Sequence, residues 1–320
     1  LARLRDSFES RGTQMPEINI SQAMVPEGAR AIENRRGTAS GLFFERDGAM
    51  LFVLPGPPPE LRAMFDGFVS PFLEGRGLKK LSQDRLLRTT GLSESEVAGR
   101  IASLAKRLAR TDVAYLPHVT GVDLRVTGHG STTDEAARTA DNSLERLAER
   151  LEPYVYARGR ESLEKVVGYL LSVRRATLSV AESCTGGQLG ARLTRIPGSS
   201  DYFRGGVTAY SNDVKKRLLK VKAATLKTHG AVSADTALEM AMGVRTLCRT
   251  DYGVSITGIA GPGGGTDEKP VGTVHVAVAG PEVASTSTHR FAGGRSAVRR
   301  AASQSALELL RRTLMGIGDD

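Results

Sequence analysis

Apolar positions recur along the chain with two different periods, and the switches between them mark its organisation. From Glu161 onward, Leu163, Val166, Val167, Leu170 and Leu171 fall at helical spacing, the stripe of a helix that packs on a sheet. Thr177, Leu178, Ser179 and Val180 then read as a buried strand, and Gln188 to Leu193 as the start of a further helix. A strand over Gly206 to Tyr210 and a helix from Asp213 come next, followed by a helix capped by Ser233 that runs through Leu247 and a strand over Tyr252 to Thr257. Two more strands, Val271 to Val278 and Val283 to His289, and a C-terminal helix from about Ser296 complete an α/β domain, an open sheet flanked by helices, at 159–320.

Upstream the pattern is shorter in wavelength and more mixed. Arg85 to Arg88 and Gly121 to Thr127, with Val122, Leu124 and Val126 on alternate positions, predict strands. Ser93 to Leu108 and Thr133 to Leu151 predict helices, and Tyr154 to Ala157 a last strand, giving a small α+β module at 79–158. The polar stretch Ala157-Arg158-Gly159-Arg160 closes it as a short linker. Before this module, Gly41 to Phe44 and Ala49 to Leu54 flank Asp47-Gly48, a hairpin signal. The second of these strands runs into a proline-rich loop that ends where a helix starts near Glu60. One hairpin and one helix bury little core, so residues 1–78 are expected to be a partial domain lacking an N-terminal partner.

Composition narrows the functional classes. The formal charge is +9, which suits an anionic ligand or nucleic acid. The basic residues are interspersed with acids, however, and aromatics that could stack on bases are few, so a nucleic-acid partner is not expected. The two cysteines, Cys184 and Cys248, and the five histidines have neither disulfide-framework nor zinc-site spacing, so no structural metal is expected; no cofactor is expected either. The chain opens on Leu1 without an apolar leader pattern, and no segment reaches the roughly 18 to 20 apolar residues of a membrane span, so the expectation is a soluble, cytoplasmic protein with no membrane partner.

Four segments carry more polar chemistry than packing requires. They are Ala181-Glu182-Ser183-Cys184-Thr185-Gly186-Gly187, Thr208-Ala209-Tyr210-Ser211-Asn212 with Lys215, Thr257 to Pro262 with Glu268 to Thr273, and the arginine-rich run from Arg295 to Arg300. The first three lie at the C-terminal ends of predicted strands, which converge on one crevice in an open α/β sheet.

Together the four segments closely resemble the C-terminal domain of the CinA (competence-damage-inducible) family, a nicotinamide-nucleotide amidohydrolase. The resemblance implies hydrolysis of the carboxamide of nicotinamide mononucleotide to nicotinate mononucleotide and ammonia without a metal. It also implies a triad of Ser183, Tyr210 and Lys215, a substrate contact from Thr257, and a homo-oligomer, a dimer or larger. Residues 79–158 resemble the KH-like linker domain of the longer members. Asn34-Arg35-Arg36-Gly37-Thr38-Ala39-Ser40-Gly41 with Leu54-Pro55-Gly56 resembles the second half of their front, molybdopterin-binding-like domain.

The residues support amide hydrolysis on chemical grounds too. Such a reaction needs a nucleophile, a base and donors for a tetrahedral oxyanion. Ser183, expected to be exposed at a sharp turn, is the first candidate nucleophile. Lys215, desolvated beside cations such as Lys216 and Arg217, is the candidate base, and Tyr210 would relay a proton or orient the lysine. Backbone N–H groups around Thr185, Gly186 and Gly187 would meet the oxyanion. Arg299 and Arg295, four residues apart on one helix face, would bind the ribose phosphate.

Plainer readings compete with each assignment. Ser183 or Thr185 could serve only as a helix N-cap, Lys215 could be a solvated lysine, and Cys184 could replace Ser183, although no histidine is predicted nearby to activate it. In the family the front domain is associated with ADP-ribose pyrophosphatase activity, whose glycine-rich motif and acidic residues lie in the half expected to be missing here. Ser40 also stands where the family usually has Pro, so that activity is not carried over. Gly128-His129-Gly130 follows a strand, and no Gly-X-X-Gly joins two helices, so the KH-like module is expected to be a spacer. A regulatory, nucleic-acid-associated protein and a residual pyrophosphatase remain as alternatives.

Overall fold

Asp47 and Gly48 both take positive φ, 52° and 79°, the geometry that lets two residues close a hairpin between twisted strands. In the computed structural model, which describes residues 2–9, 12–77 and 81–318, this turn lies in the first of two units, Leu1–Lys80 and Leu81–Asp320. Strand β1 (Ala29–Ile32) pairs with β2 (Gly41–Arg46), and the hairpin turn joins β2 to β3 (Ala49–Val53). Helices α1 (Ala2–Glu9), α2 (Pro58–Met64) and α3 (Ser70–Gly75) accompany this sheet. Its core is Ile32, Phe43 and Met64 with Phe52, Phe68 and Phe72 around them; Phe43 lies 4.9 Å from Phe52 and 4.7 Å from Phe72 between ring centroids. The third strand and the clustered rings give this stretch more core than one hairpin and one helix predict.

The second unit begins with β4 (Ser82–Thr89), α4 (Glu94–Ala105), β5 (Thr111–His118), β6 (Gly121–His129), α5 (Thr133–Leu151) and β7 (Val155–Arg158). The strands form an antiparallel sheet in the order β5-β6-β4-β7. Ser93 and Glu96 form a capping box that starts α4, and Thr132 caps α5. Leu87, Leu124 and Val126 from the sheet meet Val97, Ile101, Leu144, Leu147 and Leu151 from the helices. Strand β5 has no counterpart in the sequence expectation. It contains Pro117 and lies at the sheet edge, where a proline is tolerated but the strand pattern is weakened.

Helix α6 (Leu163–Arg174) then leads into the larger sheet. The elements that follow are β8 (Leu178–Glu182), α7 (Gln188–Thr194), β9 (Phe203–Thr208), α8 (Asn212–Leu219), α9 (Ala223–Thr228) and α10 (Ala234–Cys248). The chain finishes with β10 (Tyr252–Gly258), β11 (Thr273–Ala279), β12 (Ala284–Arg290) and α11 (Arg295–Met315). Strand order is β12-β11-β10-β8-β9, with β10, β8 and β9 paired in parallel and β11 antiparallel to both β10 and β12.

All of β8 is buried, as befits a strand covered on both faces. Leu178 and Val180 pack with Val167 and Leu171 of α6 and Leu307 and Leu310 of α11; Ala181 points the other way, to Met240 and Val244 of α10. From β8 the chain crosses first to β9 on one side and later to β10 on the other. Loops therefore diverge at its C-terminal end and leave a crevice there. Among the described residues, no helix is long and apolar enough to cross a membrane.

Candidate active site

The crevice is built on β8, whose ladder continues on both sides up to its last residue: Ala209 N–H donates to Glu182 O at 2.7 Å, and Ser183 N–H to Ile256 O at 2.9 Å. Beyond it, Gly186 and Gly187 take φ of 58° and 93°, which only glycine adopts without strain. The buried Glu182 carboxylate accepts from the N–H groups of Gly187 at 3.0 Å, Leu189 at 3.0 Å and Gly190 at 2.8 Å. A carboxylate from the strand thus satisfies the first amides of α7, where negative charge is favoured. Neither Ser183 nor Thr185 caps this helix by its side chain, so their hydroxyls are left for other work.

Ser183 is 8% exposed rather than open to solvent as expected, because its side chain turns under the sheet edge toward α8. Ser211 caps that helix by accepting from Val214 N–H, which fixes the first turn and aims Lys215 inward. Lys215 is 1% exposed, and its Nζ lies 3.1 Å from Ser183 Oγ and 2.7 Å from Ala209 O. Among the described residues it has no carboxylate partner. Burial pushes the Lys215 amine below its ordinary value, with the nearby Cys184 thiol acting weakly the other way. The expected help from Lys216 and Arg217 is not what lowers it: Arg217 is exposed and faces Asp213 at 3.6 Å.

Cys184, beside Ser183, is buried, and burial pushes its thiol up to about 11. A thiol kept protonated is a poor nucleophile, which separates the two adjacent candidates. Cys248, at the end of α10, packs against the Ala181 side of the core.

The remaining expectations divide. Gly186 N–H donates to Ser183 O at 3.1 Å and Gly187 N–H to Glu182, so neither is free to meet an oxyanion; the turn that makes the glycines necessary also engages their amides. Thr185 is different. Its N–H has no acceptor and its fully buried hydroxyl no partner among the described residues. Thr257 is buried and donates to Ala231 O at 2.7 Å, so its hydroxyl anchors the 229–233 loop and keeps only acceptor capacity toward the crevice.

Tyr210 is 64% exposed and makes no hydrogen bond to Ser183 or Lys215. Its Oη accepts instead from Arg295 Nη2 at 3.1 Å. The relay expected between tyrosine and lysine is absent because Lys215 is drawn inward to the Ala209 carbonyl while the adjacent ring turns outward. Arg295 also donates from Nη1 to Gly261 O at 2.8 Å, so it ties the loop after β9 to the loop after β10 across the crevice. Arg299 donates to Thr185 O from Nε at 3.2 Å and from Nη2. Each guanidinium keeps N–H groups in reserve, and neither has a carboxylate partner among the described residues.

Two contributors went unrecognised in the sequence. Glu182 had a signal, an acid just ahead of a helix start, but it reads as the end of an apolar strand. Lys269 lies in a segment already singled out, yet nothing in its spacing shows that its Nζ donates to His229 O at 2.7 Å and Val232 O at 2.8 Å, pinning the glycine-rich loop. The assembled crevice holds a hydroxyl against an uncompensated amine and two uncompensated guanidiniums, with the unpaired N–H and hydroxyl of the fully buried Thr185 beneath the turn. That arrangement suits attack on a neutral carbonyl of an anionic molecule.

Residues 160–314 match the CinA C-terminal domain, and residues 84–157 the damage-inducible protein CinA KH domain. A putative competence-damage inducible protein of Desulforudis audaxviator is 44% identical over 314 residues, covering 97% of this chain and 75% of that protein. A CinA-like protein of Dictyoglomus thermophilum is 40% identical over 317 residues, 99% of this chain and 77% of its own length. Among solved structures, the competence/damage inducible protein CihA from Agrobacterium tumefaciens aligns with 41% identity and a TM-score of 0.47, over 48% of this chain and 93% of that one.

Proposed function

The chain belongs to the CinA family, and on that premise we propose that its C-terminal domain hydrolyses the carboxamide of nicotinamide mononucleotide, giving nicotinate mononucleotide and ammonia. The observation that carries this reading is the buried Lys215 amine, without a carboxylate partner among the described residues, 3.1 Å from Ser183 Oγ. Desolvation favours the neutral amine, which can take the hydroxyl proton as Oγ attacks the carboxamide carbon. Charge then gathers on the carbonyl oxygen, and the Thr185 N–H and hydroxyl are the donors proposed to receive it. Collapse breaks the C–N bond, with the Lys215 proton leaving on ammonia, and leaves a Ser183 ester. Water, deprotonated by the same amine, opens that ester to the carboxylate and restores Ser183.

Arg295 and Arg299 supply the cationic wall for the 5′-phosphate. Their location, and the capture of the α7 amides by Glu182, support placing the phosphate there rather than on the helix N-terminus. Tyr210 acts in this reading as a partner of Arg295 at the crevice rim rather than as the base's relay. Thr257 acts through the loop it anchors. We divide the chain into a partial molybdopterin-binding-like domain at 1–78, a KH-like spacer at 79–158 and the amidohydrolase domain at 159–320. We place it as a cytoplasmic homo-oligomer.

The test is ammonia release from nicotinamide mononucleotide by the full chain, alongside Ser183→Ala and Lys215→Ala. Turnover by the parent chain that falls about 10³-fold or more in each folded variant supports the mechanism. An inactive parent chain removes the substrate assignment, and undiminished variants remove the mechanism.

A further inference from the structure

A second cavity, of about 320 Å³, opens where the KH-like module meets the C-terminal domain, away from the Ser183 crevice. Four arginines line it, Arg88 from β4, Arg192 and Arg195 from and just after α7, and Arg300 from α11, against a single carboxylate, Glu164 of α6. Two of these charges are balanced, Arg88 by Asp123 at 3.1 Å and Arg192 by Glu164 at 2.8 Å. Arg195 and Arg300 have no carboxylate partner among the described residues, which leaves the cavity with an excess of positive charge.

Polar groups without partners face the same space. Tyr156 lines the cavity at 7% exposure, yet its hydroxyl makes no hydrogen bond to the described residues. The N-terminus of α6 opens there as well: Ser162 makes no side-chain cap, and the N–H groups of Leu163 and Glu164 have no acceptor. The ring of Tyr156 is buried while its hydroxyl remains open to the cavity as a donor, and first-turn amides favour anions. Arg88 lies 5.2 Å over the Tyr156 ring, which gives the cavity a flat aromatic and guanidinium wall beside its donors.

We infer that this cavity is a second anion site, taking a small phosphate or diphosphate ester, separate from the crevice and independent of the amidase reading. Its size is at the lower end of ligand pockets, which run from about 300 to 1,000 Å³, and suits a small ester rather than a polymer. Helix α11 borders both sites, with Arg299 on the crevice and Arg300 on the cavity. Helix α7 likewise begins at the catalytic turn and sends Arg192 to the cavity.

Isothermal titration of the full chain with inorganic pyrophosphate, in an Arg295→Ala/Arg299→Ala background that weakens the crevice, tests the inference. Saturable binding of one equivalent is expected there. Adding Arg195→Ala and Arg300→Ala, both exposed and replaceable without loss of core, is expected to weaken it tenfold or more. Tyr156→Phe, with an unchanged circular dichroism spectrum and unfolding midpoint, is expected to weaken it several-fold. Absence of saturable binding in the background variant, or binding that ignores the Arg195 and Arg300 replacements, overturns the site.

Discussion

Lys215 Nζ lies 3.1 Å from Ser183 Oγ inside the fold, and the chain gives the lysine a backbone carbonyl for company instead of a carboxylate. A paired lysine would keep its proton and be useless as a base. Buried without a counter-ion, it is pushed below its ordinary value of 10.5. The rate of amide hydrolysis is therefore expected to rise with pH through the depressed Lys215 ionisation and to level off before 10.5. A profile of kcat/KM against pH checks this. A rate that climbs only as an ordinary lysine titrates, or is flat, takes the base role from Lys215.

The same burial has a consequence for stability. Lys215 gives up its proton at lower pH in the folded chain than in the unfolded one, so between the depressed value and 10.5 the unfolded state binds more protons. Stability contributed at this position must then rise with pH across that window. Lys215→Met, which has no charge to bury, should be most stable relative to the parent near neutral pH. Its advantage should shrink as pH approaches 10.5. Urea unfolding at several pH values measures the difference, and a pH-independent difference means that burial does not depress the amine.

Cys184 invites a thiol mechanism, yet its pKa of about 11 leaves very little thiolate at pH 8. Cys184→Ala should keep turnover within a few-fold of the parent, at a stability cost of about 1 kcal/mol for the lost packing. Iodoacetamide at pH 8 should modify this residue slowly in the folded chain. Rapid alkylation that abolishes activity, or an inactive but folded Cys184→Ala, would make the thiol the nucleophile.

How far the sequence could reach is visible at particular residues. Periodicity located β8, α7, α10 and most of α11, because apolar spacing and caps such as Ser233 are local signals. It passed over β5, whose pattern is diluted at a sheet edge, and α9, a short helix. The residues gathered at the candidate site were legible wherever a residue type alone suggests one, as with Ser183, Lys215, Arg295 and Arg299. Roles were not legible where they depend on which partner reaches first. Nothing local says that Glu182 takes the Gly187 amide, that Ser183 O takes the Gly186 amide, or that Tyr210 turns outward to Arg295.

Arg295 should act on the phosphate and not on the amide, and Arg299 chiefly on the phosphate. A charge-assisted contact is worth about 1.5–3 kcal/mol, so Arg295→Met is expected to raise KM for nicotinamide mononucleotide about tenfold or more. Nicotinamide riboside, which has the amide but no phosphate, should be turned over by parent and variant alike. Arg299→Met should show the same selectivity with an added fall in kcat, because Arg299 also holds the Thr185 carbonyl. Equal losses on both substrates would place the phosphate elsewhere.

Glu182 offers the sharpest test of how the turn is held. Its carboxylate accepts three N–H groups within 3.0 Å, all of them donors that α7 cannot satisfy internally. In Glu182→Gln the side chain keeps one acceptor oxygen and gains an NH₂ that must face an amide donor, so at least one buried N–H loses its partner. Leaving such groups unpaired costs about 1–3 kcal/mol each, and an unfolding free energy lower by about 3 kcal/mol is expected. The turn from Ser183 to Gly187 would also loosen. Loosening should lower kcat more than it raises KM, since the arginines that hold the phosphate are on other elements. Urea unfolding together with steady-state kinetics separates the two effects. A Glu182→Gln protein of unchanged stability and full turnover would show that the glycines alone shape the turn.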